Sequence, residues 1–277
     1  MPAAPLTSLD RLAIHTFTLK PWDLERCCAA LSAAGIGGIT VWRQHLEPYG
    51  TAQAAAIIRA HGLRVPALCR GGFFPHHDHA GRCSAIDDNL RTIDDAAAIG
   101  ADMVVLVCGA VPGMPLDQAR GQIRDGIAAC LDHARSCGVR LAIEPLHPMY
   151  AGDRSAINTM TQARQICEDI RDPLLGIAVD VYHVWWDDRL ADEIRLAGEQ
   201  GTLFGFHVCD WRLETRDLLN DRGLMGEGCI DIRGIRALME DAGFQGFNEV
   251  EIFSLWRWQQ DQDAYLAEII DAYRNHT

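Results

Sequence analysis

Positive charge is the first thing this sequence is short of. Its 25 Lys and Arg stand against 38 Asp and Glu, a formal net charge of −13 with histidine neutral. A protein that neutralises a run of phosphates needs the opposite balance, so a nucleic acid is excluded as partner while a local basic pocket is not. The ten cysteines never fall into a Cys-x-x-Cys spacing, and only Cys27 and Cys28 adjoin. That leaves neither a zinc ribbon nor a thioredoxin-type centre. Several of them (Cys69, Cys108, Cys209) sit in or beside apolar segments, which reads as buried reduced thiols of a cytoplasmic protein rather than a disulfide framework. Residues 1–20 show no apolar core behind a basic start, so no secretory leader is read there. The longest uncharged run, 27–42, is broken by Gly35, Gly37 and Gly38 and falls short of the roughly 20 residues that cross a bilayer. No Pro/Ser-rich linker divides the chain. Between Thr16 and Pro21 there is no glycine, although an open doubly wound sheet usually carries its phosphate turn after the first strand.

What the chain does have is alternation. At 277 residues, 48% hydrophobic and 23% charged, the composition is that of an ordinary globular protein. Strand signals at 12–16, 36–42, 63–69, 103–108, 141–144, 174–180, 203–209 and 247–253 alternate with helical patterns. Leu24, Cys27, Cys28 and Leu31 recur at helical spacing after Pro21, as do Ile123, Ile127 and Leu131. Asp231 is a good N-cap for a helix carrying Ile232, Ile235, Leu238 and Met239. Eight such units predict an α/β fold, a single (β/α)8 TIM barrel forming one domain over residues 1–277.

Four of these strands end on a side chain able to bind a metal. Leu175-Gly-Ile-Ala-Val runs into Asp180, with His183 one turn later; Leu141-Ala-Ile runs into Glu144, Leu203-Phe-Gly-Phe into His207, and Asn248-Glu-Val into Glu251. Side chains alternate along a strand with period two. Ala142, Ala178 and Gly205 therefore share the donors' face, while Leu141, Ile143, Ile177, Val179, Phe204 and Phe206 take the other. Small residues inward and large ones outward suit a barrel interior beneath a metal. The last strand puts Val250 and Ile252 outward but also sends Glu249 inward. A buried carboxylate there needs a partner, and Arg140 is the inward-facing candidate. Three carboxylates and one imidazole make a hard, oxygen-rich site for one divalent metal, Mn²⁺ first and Mg²⁺, Co²⁺ or Zn²⁺ as alternatives. The cation would also relieve the mutual repulsion of the carboxylates.

The segments Ala142-Ile-Glu144-Pro, Val179-Asp180-Val-Tyr-His183, Phe206-His207-Val-Cys-Asp210, Gly226-Glu-Gly228 followed by Ile230-Asp231, and Val250-Glu251-Ile-Phe-Ser254 occur in this order. Together, from Arg11 onward, the chain resembles the xylose isomerase-like sugar isomerases and epimerases, a family that includes inosose isomerase, inosose dehydratase and tagatose epimerase. The resemblance implies that Glu144, Asp180, His207 and Glu251 bind the metal and that His183 contacts substrate. It also implies an Arg in the loop after His207, a role open to Arg212 or Arg216. The implied chemistry is enolisation of a chelated hydroxy-carbonyl through a metal-stabilised enediolate, with Glu144 and Glu251 as the catalytic acid and base on opposite sides. An isomerase returns the proton to the neighbouring carbon, an epimerase returns it to the other face, and a dehydratase expels hydroxide. The ketose 3-epimerases share a second Glu six residues after the first ligand, where this chain has Tyr150.

The reading is therefore a metal-dependent isomerase or epimerase of a sugar, sugar phosphate or keto-polyol, with a lyase acting on a keto-sugar or inosose as the alternative. An apurinic endonuclease of the same fold would need more His ligands and a basic face. A non-catalytic sugar-binding barrel would tolerate loss of a donor. Six tryptophans (Trp42, Trp185, Trp186, Trp211, Trp256, Trp258) fall near strand ends, where packing is the ordinary role; Trp42 and Trp185 are the candidates for stacking on substrate. His76-His-Asp-His79 reads as a solvated loop that can act as a lid, and Arg70-Gly-Gly72 as a turn with the makings of an anion cradle. The expected partners are a small carbohydrate and other copies of the chain, as a dimer or tetramer, with no membrane.

Overall fold

The computed structural model describes residues 5–277; residues 1–4, the start of the stretch read for a leader, lie outside the described residues. Eight parallel strands close into a barrel in chain order. They are β1 (Leu12–His15), β2 (Gly38–Trp42), β3 (Val65–Gly72), β4 (Ala101–Val107), β5 (Arg140–Ile143), β6 (Leu175–Asp180), β7 (Leu203–Val208) and β8 (Asn248–Val250). The helices α1 (Leu24–Ala33), α2 (Thr51–Ala60), α3 (His79–Ile99), α4 (Leu116–Cys137), α5 (Met160–Ile170), α6 (Val181–Val184), α7 (Leu190–Glu199), α8 (Ile232–Asp241) and α9 (Gln262–His276) complete the chain. Polar side chains start many of them: Asp23, Asp78, Thr159, Asp231 and Asp261 each accept a backbone N–H from the first turn of α1, α3, α5, α8 and α9, satisfying donors the helix cannot. Among the described residues no helix is long and apolar enough to cross a membrane.

Two cores follow from the strand alternation. Leu141, Ile143, Ile177, Val179, Phe206, Val250 and Ile252 face the helices in one large cluster. Ala142, Ala178, Ala67, Cys69, Met103 and Val105 fill the barrel interior. All ten cysteines are free thiols, most of them buried.

Two bulges depart from simple alternation. Between β6 and β7 the register shifts, with Ile177 opposite Leu203 but Ala178 opposite Gly205. The extra residue, Phe204, is thereby turned from the outer face to pack against the interior cluster. Its ring lies where a Cβ on Gly176 would stand, 2.5 Å away. Arg140 stacks its guanidinium 4.6 Å from the Phe204 ring, so it is not the partner expected for Glu249. That partner is Thr40, whose hydroxyl donates to Glu249 Oε2 at 2.6 Å. The second bulge falls at Arg70, since Cys69 faces Val105 and Gly71 faces Leu106. β3 therefore carries Arg70-Gly-Gly72 as its own end, not as a free loop. The polar run after it is also shorter than expected, because α3 begins at His79 with Asp78 as its cap.

Candidate active site

Glu144 follows the last residue of β5, Asp180 ends β6, His207 lies near the end of β7 and Glu251 follows β8. The fold brings one ligand atom from each of these four within 4.8 Å of the others, and all four residues are buried. Asp180 Oδ1 accepts the Tyr182 N–H that opens α6, which fixes the carboxylate. Glu144 Oε1 and His207 Nδ1 lie 2.9 Å apart as an ion pair, and among the described residues neither atom has a well-aligned hydrogen bond. Buried polar atoms without well-aligned partners are rare in native structures, and these two belong to the four-donor cluster.

Electrostatics argue the same way. Burial, and behind it repulsion from Glu251 and Glu144, pushes the Asp180 carboxyl up to about 8 against the pull of Arg222. Burial opposes protonation of His207, yet the carboxylates of Glu144, Glu249 and Glu251 raise it to about 10. Clustered carboxylates hold on to protons where positive charge is scarce. A divalent cation is the charge that this donor set fits.

Three residues complete the cluster without having been singled out from the sequence. His15, at the end of β1, places Nδ1 3.1 Å from Glu251 Oε1 and 3.1 Å from Trp42 Nε1. Thr40 holds Glu249 below the cluster. Arg222, fully enclosed, donates from Nη1 to Asp180 Oδ2 at 3.0 Å and to Glu251 Oε2 at 2.7 Å, and from Nη2 to His183 Nε2 at 3.2 Å. Because a guanidinium only donates, His183 Nε2 accepts and Nδ1 carries the proton. Burial first and Arg222 second hold His183 well below its usual pKa, so the ring is neutral.

Above the cluster opens a cavity of about 210 Å³, below the 300 Å³ or so at which drug-sized sites begin. Glu144, Glu251, His183, Arg222, Trp42 and Tyr150 line it; Asp180 and His207 lie beneath. A larger depression of about 680 Å³, lined by residues between Cys167 and Thr202, collects none of the donors. The structure places three expected substrate residues elsewhere. Arg212 pairs with Asp221 at 3.1 Å and its side chain lies 5.9 Å from the Trp256 ring. Arg216 donates its backbone N–H to Asp221, and neither side chain lines the cavity. Trp185 packs against Trp211 at 5.8 Å. The arginine that the loop does deliver is Arg222.

The family described as xylose isomerase-like TIM barrel matches residues 28–276. The chain belongs to this family. The inosose isomerase of Bacillus velezensis is 22% identical over 214 residues, 76% of this chain and 74% of that protein. The L-ribulose-5-phosphate 3-epimerase UlaE of Salmonella paratyphi C is 24% identical over 199 residues, 70% of this chain and 66% of that protein. Among solved structures, protein SMc04130 from Sinorhizobium meliloti 1021 superposes with a TM-score of 0.94 at 47% identity, covering 97% of this chain and 99% of that one.

In this xylose isomerase-like barrel the Asp210 and Gly226-Glu-Gly228 segments form one joint. The Asp210 carboxylate accepts the backbone N–H groups of Trp211, Gly226, Gly228 and Ile230. Gly226 adopts φ +93, and a Cβ on Gly228 would stand 2.1 Å from the Trp211 carbonyl oxygen, so glycine is needed at both. The joint holds the loop that carries Arg222 into the site. Tyr150 lines the cavity, and its hydroxyl donates to the Leu218 carbonyl at 2.6 Å.

Proposed function

We propose that this chain is a divalent-metal-dependent isomerase or epimerase of a sugar, sugar phosphate or keto-polyol. The observation that carries the reading is the division of labour among the four donors. Asp180 and His207 lie sealed beneath, while Glu144 and Glu251 reach the cavity wall from the ends of β5 and β8, three strands apart around the barrel. Glu144, Asp180, His207 and Glu251 would hold the ion, with Mn²⁺ the first choice for so oxygen-rich a set. The bound ion would supply Lewis acidity toward a carbonyl and its adjacent hydroxyl.

The chain's own residues supply the rest. His15 and Arg222 outweigh the effect of burial and hold Glu251 well below the usual carboxylate range, so it is ionised. Glu144 and Glu251 face the reacting carbons from two sides, and whichever stands over the C–H bond removes the proton. Returning it to the neighbouring carbon is isomerisation; returning it to the opposite face is epimerisation. Among the described residues His183 Nδ1–H has no hydrogen-bond partner, and it is available to a substrate oxygen. The relatives named above, an inosose isomerase and a 3-epimerase, support this class. Loss of water from a keto-sugar is the second reading, favoured by Tyr150, which replaces the second glutamate of the ketose 3-epimerases with a hydroxyl already tied to Leu218.

The test is solvent exchange. In D2O with candidate ketoses, the wild-type enzyme incorporates deuterium at the carbon beside the carbonyl. Glu144→Gln keeps the same circular dichroism and loses at least about 10²-fold in exchange rate, the scale of a lost acid–base group. Exchange at the wild-type rate by that variant would remove Glu144 from the mechanism. Product mass separates the two readings, since only a lyase product is lighter by water.

A further inference from the structure

The cavity wall is cationic, against the charge of the whole chain. Besides Arg222, the residues lining it include Lys20, Arg70 and Arg154. Arg222 is neutralised by Asp180 and Glu251. Among the described residues the other three make no ion pair. Each rests on an aromatic ring instead: Lys20 Nζ lies 4.4 Å from the Trp258 ring and 4.8 Å from that of Phe17. The Arg70 guanidinium lies 4.2 Å from Phe73, and that of Arg154 lies 5.5 Å from Tyr150. A ring face steadies a cation without cancelling its charge. The bulge in β3 inserts Arg70 at the barrel mouth, and bulges re-aim side chains in this way. Burial, with Arg154 as a further cause, lowers the Arg70 pKa from its ordinary value, so the two cations share one space. With 13 more acidic than basic residues over the chain, three unpaired cations around one small cavity mark an anion's place.

We propose that Lys20, Arg70 and Arg154 form an anion-binding rim, so that the substrate of this site carries a phosphate or carboxylate group at the end remote from the reacting carbons. The proposal rests on the isomerase or epimerase reading and narrows its substrate class. Guanidinium groups suit both anions through paired hydrogen bonds. Gln44 and Asn220, which also line the cavity, add neutral donors.

The experiment measures binding by titration calorimetry with the Mn²⁺-loaded protein and three probes: fructose, fructose 6-phosphate and 5-keto-gluconate. One or both anionic probes bind at least about tenfold tighter than fructose, the scale of a charge-assisted hydrogen bond, and the preference shrinks as salt is raised. Preference for fructose 6-phosphate identifies phosphate as the anion, and preference for 5-keto-gluconate identifies carboxylate. Arg70→Gln and Arg154→Gln each reduce the ratio of anionic to neutral affinity by about tenfold, whereas Arg70→Lys recovers part of it. Equal affinity for charged and neutral probes, no binding of either anion, or a ratio that survives both Gln variants overturns the rim. Tight anion binding without deuterium exchange would leave the rim standing and remove the proposed reaction. Exchange on fructose without an anion preference would do the reverse.

Discussion

Arg222 enters the site from the same loop as Arg212 and Arg216, but stands farther from His207 in sequence than either. That loop is folded by isolated pairings, Asp210 with Gly223 and Asp221 with Ser254, and no periodicity announces such contacts. The one available signal was its place four residues before Gly226, inside the segment that Asp210 pins down. Once seated, its guanidinium lies between two carboxylates and 4.5 Å from the Tyr182 ring. Removing one partner of a buried ionic cluster destabilises by about 3–5 kcal/mol. Arg222→Met is therefore expected to lose stability on that scale in denaturant unfolding after chelation. Added Mn²⁺ should restore part of the loss, since it replaces the missing positive charge. A metal-free Arg222→Met protein as stable as the wild type would show that the cluster does not need the guanidinium.

At the scale of elements, the strands were legible because each apolar run stops abruptly and because period two separates large from small residues. The four donors were legible for the same reason: they stand where those runs stop. The bulges were not, because alternation cannot say where an extra residue is inserted; Phe204 changed faces and Arg70 came to the mouth through one residue each. Helix-to-helix pairing was equally hidden. α5 and α7 are joined by Glu193, whose carboxylate is fully buried and accepts from Arg164 Nε at 2.6 Å and Thr161 Oγ1 at 2.9 Å. Burial raises its pKa, but these hydrogen bonds prevail and hold it below the ordinary range. A carboxyl with a depressed folded pKa stabilises fully above the unfolded value, about 4.3 for Glu, and the contribution disappears as pH falls through the lower folded value. Glu193→Gln is expected to be less stable than wild type by about 1.5–3 kcal/mol at pH 7. The gap should narrow in acid, below the unfolded value. Urea unfolding at neutral and acid pH measures it, and a gap independent of pH would assign the effect to packing instead.

Over the whole molecule, charge is sorted by depth. The exterior is acidic and the cavity wall basic, and the barrel axis holds Glu144, Asp180, Glu249 and Glu251 around His15 and His207. A folded chain that gathers these carboxylates on its axis is strained by their repulsion, and unfolding disperses them. A cation that binds only the folded cluster must therefore raise stability. The gain is about 2.7 kcal/mol when the free ion stands at 100 times its dissociation constant. For a chain above 200 residues each kcal/mol moves the melting temperature by about 2–4 °C, so a rise of roughly 5–10 °C is expected. Protein dialysed against EDTA should melt lower and recover with Mn²⁺; parallel titrations with Mg²⁺, Co²⁺ and Zn²⁺ rank the ions. Asp180→Asn tests the location, because it removes a donor that does not line the cavity and leaves the substrate-facing carboxylates in place. It should fold yet lose most of the ion-dependent rise. A melting temperature indifferent to chelation and to all four ions would refute the metal centre. A full rise in Asp180→Asn would keep an ion but move it off this cluster.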